Sequence, residues 1–363
     1  MPNNKTDFEP FLIGTVFNPI KTKLHKLNNS FHEVSIKYPT RLDLMAIDPS
    51  KISTNSNLVY TPGELILKID SYRTVNVKKN LNNNEIVISP NSKRHSLIMH
   101  AALLMKAALN FKSGLFIDVE NTSEIKHVGF GSSSALIASV ACAINELFGK
   151  PIAAKDLIQY TAQNHGEEID DEKDKISPVQ CIGGSSAGGQ STGALMILTG
   201  ESRVISTMKL SKKYKVIVAL PKDFKELDSK TLLKKELEVM DGFIKCGKTY
   251  GPEIAYQILH YVLPAMIEGD LRTVGDLVYR YRFEMGSIEN CSFCYPPLTS
   301  LCNHLAYLKK NNIVDLLSIS SVGPAIVAVT KNVKECRASF EKENLKIFIF
   351  NVENNKYYVL RKN

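Results

Sequence analysis

Apolar and polar residues alternate along several short segments near the start of the chain. In Arg41–Ile47 the alternation predicts a strand with one buried face, and Leu65–Val77 continues in the same manner. Val34–Ile36 and Glu85–Ser89 are shorter candidate strands. Residues 1–30 are polar and rich in Asn and Lys, which predicts an extension or an edge element.

Other segments show the pattern of helices. Ser96–Leu109 and Ser134–Phe148 are apolar nearly all round, as in helices buried on every side. Gly149 and Pro151 follow the second helix and stop it. Ala153–His165 predicts a further helix. Gly183–Gly193 is rich in glycine and serine and predicts a loop.

The rest of the chain mixes both patterns without strict alternation of strand and helix, which favours an α+β fold. The candidate strands are Leu115–Glu120, Ala194–Thr199, Lys215–Leu220, Leu316–Ser320, Ala325–Thr330 and Leu345–Val352. The candidate helices are Lys230–Ile244, Glu253–Glu268, Leu271–Glu284, Pro297–Lys310 and Val333–Lys342. A length of 363 residues indicates two domains, which we place at 1–204 for phosphate or nucleotide binding and 205–363 for substrate binding.

Composition narrows the class of ligand. The net charge of +8 favours small anions, and the basic residues are dispersed without interleaved aromatics, so we expect no nucleic-acid partner. No apolar run is long enough to span a bilayer and Met1–Pro10 is polar, which predicts a cytoplasmic protein without membrane contact. Seven cysteines without a regular framework indicate reduced thiols. Cys291 and Cys294 form a single CxxC, which favours two thiols in a loop over a zinc site.

The segment His127–Leu136 (HVGFGSSSAL) carries the clearest chemistry. Gly129 and Gly131 allow positive φ and close approach of the backbone, and Ser132–Ser134 add hydroxyl groups where a buried helix begins. Free N–H groups and the positive end of the helix dipole make such a turn an anion site. A serine N-cap without ligand is the structural alternative, and the segment is not a Walker loop because it lacks Gly-Lys-Ser/Thr.

This segment resembles the Pro-x-Gly-Leu-Gly-Ser-Ser-Ala-Ala loop of the GHMP small-molecule kinases. Val128–Ala135 matches the loop, Tyr38–Leu44 (YPTRLDL) resembles the first family motif, and Ser320–Val329 (SSVGPAIVAV) resembles the third. The resemblance covers nearly the whole chain in order and spacing. It implies a two-domain fold with an N-terminal ribosomal-protein-S5-like domain and a C-terminal ferredoxin-like domain.

One part of the family pattern is missing. Kinases of this family usually carry Asp in a Gly-Ser-Gly-x-Asp stretch, whereas Cys181–Gly193 (CIGGSSAGGQSTG) has no acidic residue. The acidic run Glu167–Asp174 is predicted to be a solvated loop. The acids in this run that remain candidates for the site are Asp170, Asp171, Asp174 and, more weakly, Glu168.

A narrower resemblance is to the beta-ribofuranosylaminobenzene 5'-phosphate synthases, GHMP-fold enzymes that are not kinases. Four segments carry it: Pro39–Asp48, Gly183–Gly193, Leu263–Leu271 and Ser320–Pro324. It implies a phosphoribosyltransferase that makes a C-glycoside for methanopterin synthesis from phosphoribosyl pyrophosphate and an aromatic acid, with loss of pyrophosphate and CO2. Two departures are Gly131–Ala135 (GSSSA), the kinase form of the loop, and Val322 in place of tryptophan.

The resemblance also assigns candidate roles to residues. The candidate catalytic residues are Arg41 as a phosphate partner, Asp48 as a ligand of ribose hydroxyls or metal, and His127 as an acid. The candidate phosphate-binding residues are Gly129, Gly131, Ser132, Ser133 and Ser134, with Ser185, Ser186 and Gly188 as a second anion cradle. The candidate substrate-binding residues are Ser320, Ser321 and Gly323. Glu268 and Asp270 are interpreted as polar residues at helix ends rather than as catalysts.

Three functions follow from these patterns. The synthase function implies Mg²⁺ and no organic cofactor. A GHMP-type kinase would instead hold ATP with Mg²⁺ at the same loop and phosphorylate a small molecule. The third alternative is an inactive nucleotide-binding protein. A homodimer is the general expectation for a soluble enzyme.

Overall fold

The computed structural model describes residues 9–51, 62–81, 83–121, 131–170, 172–225, 227 and 229–363. The strands of these residues are β1 (Phe11–Leu12), β2 (Glu33–Ala46), β3 (Glu64–Asn80), β4 (Ile86–Ile88), β5 (Gly114–Asn121), β6 (Gly166–Glu168), β7 (Lys175–Pro178), β8 (Leu195–Thr199), β9 (Arg203–Met208), β10 (Lys215–Pro221), β11 (Leu316–Ile319), β12 (Ile326–Thr330), β13 (Leu345–Asn351) and β14 (Tyr358–Lys362).

The helices begin with a 3-10 turn at Pro49–Lys51 and include one π-helical turn at Ile258–Val262. The α-helices are α1 (His95–Leu109), α2 (Ser132–Leu147), α3 (Ala154–Gln163), α4 (Gly184–Gln190), α5 (Ser229–Glu238), α6 (Met240–Gln257), α7 (Leu263–Glu268), α8 (Leu271–Phe283), α9 (Ser287–Cys291), α10 (Leu298–Leu305), α11 (Tyr307–Lys310) and α12 (Val333–Lys342).

A long antiparallel pair, β2 and β3, forms the centre of the first sheet. The strand order is β14-β2-β3-β5-β4, and the hairpin β8-β9 joins the first half of β3. The register between β2 and β3 shifts at Pro39/Thr40 and again between Asp43 and Met45. Pro39 has no N–H for a ladder bond, and bulges of this kind re-aim the side chains next to them. Arg41 and Asp43 lie between the two shifts.

Helices α1 and α2 cover one face of this sheet. Val34, Ile36 and Val75 pack with the apolar side chains of both helices in one buried cluster. Nearly every residue of α2 is buried, as the uniformly apolar sequence predicts. The start of α2 is thereby held rigidly against the sheet.

The second sheet is antiparallel throughout, in the order β11-β12-β10-β13. Both of its faces are buried: Val216 and Val218 point into one cluster, while Ile217 and Ala219 point into another. The first cluster also contains Leu42 and other residues of β2, β3 and β8, together with α6 and α8. The two sheets therefore share one apolar core.

Three features differ from the sequence predictions. The Gly-Ser-rich segment 183–193 contains the helix α4. Val239 separates α5 from one helical run that continues from Met240 to Glu268, whereas the predicted helices were Lys230–Ile244 and Glu253–Glu268. The glycine positions are packing sites, because a Cβ at Gly247 would stand 2.2 Å from the backbone nitrogen of Ser50.

The last strand returns to the first sheet. β14 pairs with β2 in antiparallel fashion, for instance Val359 with Ile36. The domain boundary at 204/205 stays a prediction. None of the helices that the structure describes is long and apolar enough to cross a bilayer.

Candidate phosphate-binding site

Helix α2 begins at a left-handed glycine. Gly131 has φ 59° and precedes Ser132, the first helical residue. The hydroxyl of Ser134 lies 2.7 Å from that of Ser185 and donates to the carbonyl of Gly131 at 3.2 Å. The first-turn N–H groups of a helix have no partner within the helix, so this end attracts anions.

The guanidinium of Arg41 lies directly on Gly131. A Cβ at position 131 would stand 2.9 Å from Arg41 Cζ and 2.8 Å from Ser185 Oγ. Arg41 Nε and Nη1 are buried and have no hydrogen-bond partner among the described residues. Buried donors are nearly always paired in native proteins, so two unpaired guanidinium N–H groups beside a helix start indicate a site built for an anion.

Two carboxyl groups lie close to Arg41. Asp43 follows it on β2, and Asp43 Oδ1 is buried without a partner among the described residues. Glu64 Oε1 accepts a hydrogen bond of 2.6 Å from the backbone of Gly184, at the start of α4. Burial and then the charge of Asp43 raise the pKa of Glu64 to about 7, against the opposing effect of Arg41. Glu64 thus supplies an acid where segment 181–193 has none.

Arg94 is a site residue that the sequence reasoning missed. It precedes α1 with φ 60° and is almost fully buried. Its guanidinium donates to the hydroxyls of Ser132 at 3.1 Å and Ser133 at 2.7 Å, and it forms ion pairs with Glu167 and with Glu168. The only sequence signal is a basic pair, Lys93-Arg94, directly before a buried helix.

The turn after β11 forms the wall of the site opposite the start of α2. The backbone N–H of Ser321 donates to the carbonyl of Asp43 at 2.8 Å, and Ser320 Oγ accepts from the N–H of Asp43 at 3.1 Å. Ser321 and Gly323 both have positive φ, at 56° and 85°. The turn therefore fixes the backbone on which Asp43 is carried.

Arg282 of α8 supports the same wall from beneath. Its side chain is 3% exposed and donates to the carbonyls of Leu44 at 2.7 Å and Ile319 at 3.2 Å. It also donates to Ser287 Oγ at 3.0 Å. A buried cation that is bonded to neutral groups makes this wall electrostatically positive.

These walls enclose a cavity of about 330 Å³. Glu236 of α5 lines it, and the carboxyl group of Glu236 forms no hydrogen bond with any described residue. Burial raises the pKa of this carboxyl to about 7. Burial lowers the pKa of His165 to about 3, so this cavity-lining imidazole is neutral. Apolar side chains complete the lining at the α5 end: Leu232, Leu237, Met240, Phe243 and Val322.

Most of the predicted residues meet at this cavity. Its lining includes Arg41, Gly131, Ser132, Ser133, Ser134, Ser321 and Gly323. Ser185 adjoins it through Ser134, and Ser320 lies behind it through Asp43. His127 and Gly129 lie outside the described residues.

Three other predicted residues are not brought to the cavity. Asp48 accepts hydrogen bonds from the N–H and hydroxyl of Ser50, so it caps the 3-10 turn. Ser186 Oγ is bonded to Thr161 and Gln190. Gly188 faces Ile66 and Lys68 of β3. The proposed second anion cradle is therefore reduced to Ser185.

The prediction of a solvated loop at Glu167–Asp174 is wrong for its first two residues. Glu167 and Glu168 lie in β6, and Glu167 lines the cavity because Arg94 pairs with it. Asp170 and Asp174 are exposed, and Asp171 lies outside the described residues.

Two further acids lie at helix ends, as interpreted from the sequence. Asp270 caps α8 through the N–H groups of Arg272 and Thr273, and Glu268 ends α7.

Cysteine chemistry is absent from the site. All seven cysteines are free, and burial raises the pKa of the cavity-lining Cys181 and Cys291 to about 12. Both are therefore protonated thiols at neutral pH. Within the described ranges no three His, Cys, Asp or Glu side chains lie close enough to hold a metal ion.

Comparison with known proteins agrees with this geometry. The family described as GHMP kinases N terminal domain matches residues 96–172, which include the start of α2. The chain is 26% identical over 235 residues to a homoserine kinase of Methanococcus maripaludis, covering 62% of this chain and 66% of that protein. A second homoserine kinase, from Methanococcus vannielii, is 26% identical over 208 residues and is covered for 58% of its length. The alignments thus span less than two thirds of these relatives.

Solved structures share the architecture at low identity. A mevalonate pyrophosphate decarboxylase from Streptococcus pyogenes superposes with a TM-score of 0.62 at 14% identity, covering 90% of this chain and 99% of that one. The mevalonate kinase of Methanococcus jannaschii gives a TM-score of 0.59 at 15% identity, covering 90% and 100%. This likeness confirms the α+β GHMP kinase fold with its two-domain architecture. The match over residues 96–172 and the alignments with the homoserine kinases show that the chain is similar to GHMP kinases.

Proposed function

We propose that this chain is an ATP-dependent small-molecule kinase. The observation that carries the proposal is the buried edge of the Arg41 guanidinium at the start of α2, which has no hydrogen-bond partner within the described part of the chain. A triphosphate placed there would satisfy Arg41 and meet the N–H groups of the first helical turn. The names of the curated relatives support a kinase in preference to the synthase.

Mg²⁺ fits this site as an ion that arrives with the nucleotide. Mg²⁺ is usually held by one or two carboxylates together with phosphate oxygens and water. Asp43 has a free buried oxygen beside Arg41, and Glu64 is its neighbour. Bound there, Mg²⁺ would neutralise phosphate charge, and Asp43 would hold it.

The carboxyl group of Glu64 is suited to receive the proton of the acceptor hydroxyl. A general base works best when its pKa lies near the working pH, and the pKa of Glu64 is raised to about 7. The acceptor would bind between α5 and the turn at Ser321–Gly323, where Glu236 and apolar side chains line the cavity.

The test separates nucleotide binding from transfer. Thermal stabilisation by ATP with Mg²⁺ is compared with stabilisation by phosphoribosyl pyrophosphate with Mg²⁺, and ADP formation is then followed with a panel of hydroxylated acceptors that includes homoserine and mevalonate. A ligand at about 100 times its dissociation constant should stabilise the fold by roughly 2.7 kcal/mol. Stabilisation by ATP followed by acceptor-dependent ADP release is the expected result.

The variant Arg41→Ala should weaken ATP binding about 10- to 100-fold, since a hydrogen bond to a charged group contributes about 1.5–3 kcal/mol. Arg337→Ala on the exposed face of α12 is the control, because Arg337 bonds only to Glu341 among the described residues. Equal ATP affinity in both variants would contradict the proposal.

The synthase remains a second candidate because its Ser-Ser-x-Gly-Pro turn, Ser320–Pro324, places Ser321, Val322 and Gly323 in the cavity wall. The pyrophosphate group would bind to the same guanidinium N–H groups of Arg41. Protection by phosphoribosyl pyrophosphate alone, with product formed from 4-hydroxybenzoate or 4-aminobenzoate, would favour this function. Protection by ATP without turnover of any acceptor would favour an inactive nucleotide-binding protein.

A further inference from the structure

A second cavity, which we call the α3 cavity, lies along helix α3. Its volume is about 370 Å³, and no described residue lines both this cavity and the phosphate-binding site. Lys155, Gln159 and Gln163 line it and recur every four residues, so they form one row on α3. This row is about 12 Å long. A cavity of this volume is large enough for a small metabolite.

The extended segment at residues 18–22 forms a second wall of the α3 cavity. Asn164, which is fully buried just after α3, holds the start of this segment. Its side-chain oxygen accepts from the N–H groups of Phe17 at 2.7 Å and Asn18 at 3.0 Å, and its amide donates to the carbonyl of Asn18 at 2.9 Å. The polar segment near the start of the chain is therefore fixed against α3 by buried hydrogen bonds.

The side chain of Gln163 points to a ligand. Gln163 is only 8% exposed, and it lines the α3 cavity. Its backbone carbonyl accepts from Asn18 Nδ2 at 3.4 Å, whereas its side-chain amide forms no hydrogen bond with any residue that the structure describes. Buried amides are nearly always paired, and this one offers two N–H donors and one carbonyl acceptor. Polar groups of a bound molecule would pair with them.

Positive charge dominates the exposed part of the α3 cavity. Lys21, Lys155 and Arg203 line it and are exposed. Across the described ranges, none of these three side chains forms an ion pair. A phosphate monoester carries nearly two negative charges at neutral pH and three strong acceptor oxygens, which suits a set of cations better than a single carboxylate does.

Two acids also line the α3 cavity, Asp156 and Glu201. Glu201 Oε2 already accepts a hydrogen bond of 2.8 Å from Gln159 Nε2. Ionised carboxylates only accept hydrogen bonds, so a ligand that contacts them must bring donors such as hydroxyl groups. An inorganic anion alone would bring none to these acids and would leave the amide of Gln163 without a neutral partner.

We infer that the α3 cavity binds a phosphate monoester of a hydroxylated metabolite, the chemistry that sugar phosphates and nucleoside monophosphates share. The phosphate would lie among Lys21, Lys155 and Arg203, and the hydroxylated body would meet Gln163 and the two acids. Because the two cavities share no described side chain, the inference does not depend on which reaction the phosphate-binding site performs.

Isothermal titration of the full chain tests this site with five probes: ribose 5-phosphate, AMP, ribose, adenosine and inorganic phosphate. At least one of the two monoesters should bind about tenfold or more tightly than inorganic phosphate and than its own dephosphorylated form. Its affinity should fall as the salt concentration rises. Tighter binding of ribose 5-phosphate or of AMP would show whether the body is a sugar or a nucleoside, and either result supports the inference.

Variants assign the binding to the α3 cavity. Gln163→Met removes the amide and keeps a similar shape, and the double variant Lys155→Glu with Arg203→Glu reverses two exposed charges. Each should weaken monoester binding about tenfold or more. Lys334→Glu with Lys342→Glu is the matched control, because both residues are exposed on α12 and neither lines the α3 cavity.

Arg41→Ala should leave monoester binding in the α3 cavity unchanged, since Arg41 belongs to the other cavity. Circular dichroism establishes that every variant is folded. The inference is overturned if neither monoester binds more tightly than inorganic phosphate. It is also overturned if affinity survives in the exposed double variant, or if Arg41→Ala abolishes binding and the variants of the α3 cavity do not.

Discussion

At the scale of single residues, the site is defined by groups that lack partners. Arg41 Nε and Nη1 and Asp43 Oδ1 are buried and unpaired among the described residues, while Arg282 and Arg94 beside them are fully engaged. Leaving a buried polar group unpaired costs about 1–3 kcal/mol, more when it is charged. A ligand that bonds to Arg41 and Asp43 would recover that cost.

Glu64 connects this chemistry to stability. Its pKa is raised from 4.5 to about 7, so the folded state holds its proton more tightly than the unfolded state does. The resulting contribution to stability is complete below about pH 4.5 and is lost as the pH rises through about 7. Glu64→Gln mimics the protonated form and should be more stable than the wild type above pH 7, by about 2–3 kcal/mol.

Thermal unfolding of both proteins between pH 5 and pH 8 checks this expectation, with the difference growing as the pH rises. Glu238→Gln, on an exposed position of α5, is the matched control and should follow the wild type at every pH. Parallel curves for Glu64→Gln and the wild type would show that Glu64 is not held protonated by its surroundings.

Some of these site residues could be predicted from the sequence and others could not. Arg41, Ser132–Ser134 and Ser321 stand in motifs whose residue types already point to anion binding. Glu64 carries no local signal and Arg94 only that of a basic pair before a helix, because their roles depend on tertiary contacts with Gly184 and with Ser132 and Ser133. Asp48 lies in the segment Pro39–Asp48 that resembles a family motif, but its carboxylate accepts a hydrogen bond from Ser50 in the 3-10 turn that follows.

At the scale of elements, the start of α2 is the critical join. Gly131 combines positive φ with contact to both Arg41 and Ser185. Gly131→Ala adds left-handed strain, about 1 kcal/mol, and also drives a methyl group into the guanidinium. We expect ATP affinity to fall at least tenfold in binding titrations.

Gly269→Ala provides the comparison that isolates the clash. Gly269 has φ 79° and nothing lies within 4 Å of its virtual Cβ, so this variant carries the strain without the collision. It should lose stability and keep its ATP affinity. If the two alanine variants bound ATP equally, the anion site would not depend on the fit between Arg41 and Gly131.

The spacing of apolar residues predicted a helix or strand well where the whole segment followed one pattern. α1, α2, α12, β3 and the strands of the second sheet lie close to their predicted bounds. α4 was missed because glycine and serine have low helix propensity, and its packing against Glu64 and Tyr38 overrides that preference. The spacing of apolar residues does not predict which strands pair with each other. Nothing in the sequence of Tyr358–Lys362 indicates that this strand pairs with β2.

At the scale of the whole molecule, the cavity lies where the two sheets meet. β2 of the first sheet supplies Arg41 and Asp43, and the turn between β11 and β12 of the second supplies Ser321 and Gly323. The shared apolar core beneath them explains how groups so distant in sequence are held in register. Arg282 is a buried charged link across this boundary, because it bonds to Leu44 on one side and Ile319 on the other.

Arg282→Met should therefore destabilise the fold by about 3 kcal/mol or more, since it removes buried charge-assisted hydrogen bonds, leaves the carbonyls of Leu44 and Ile319 to share the hydroxyl of Ser318, and loosens the join between the sheets. Arg280→Met is the matched control two positions earlier on α8. Arg280 is 39% exposed and its ion pair with Glu253 is of the surface kind, so its loss should cost less than about 1 kcal/mol. Urea unfolding measures both changes. ATP affinity should also fall in Arg282→Met alone, because the turn that fixes Asp43 loses its support. Equal unfolding midpoints for the two variants would mean that the apolar core holds the sheets together without this arginine.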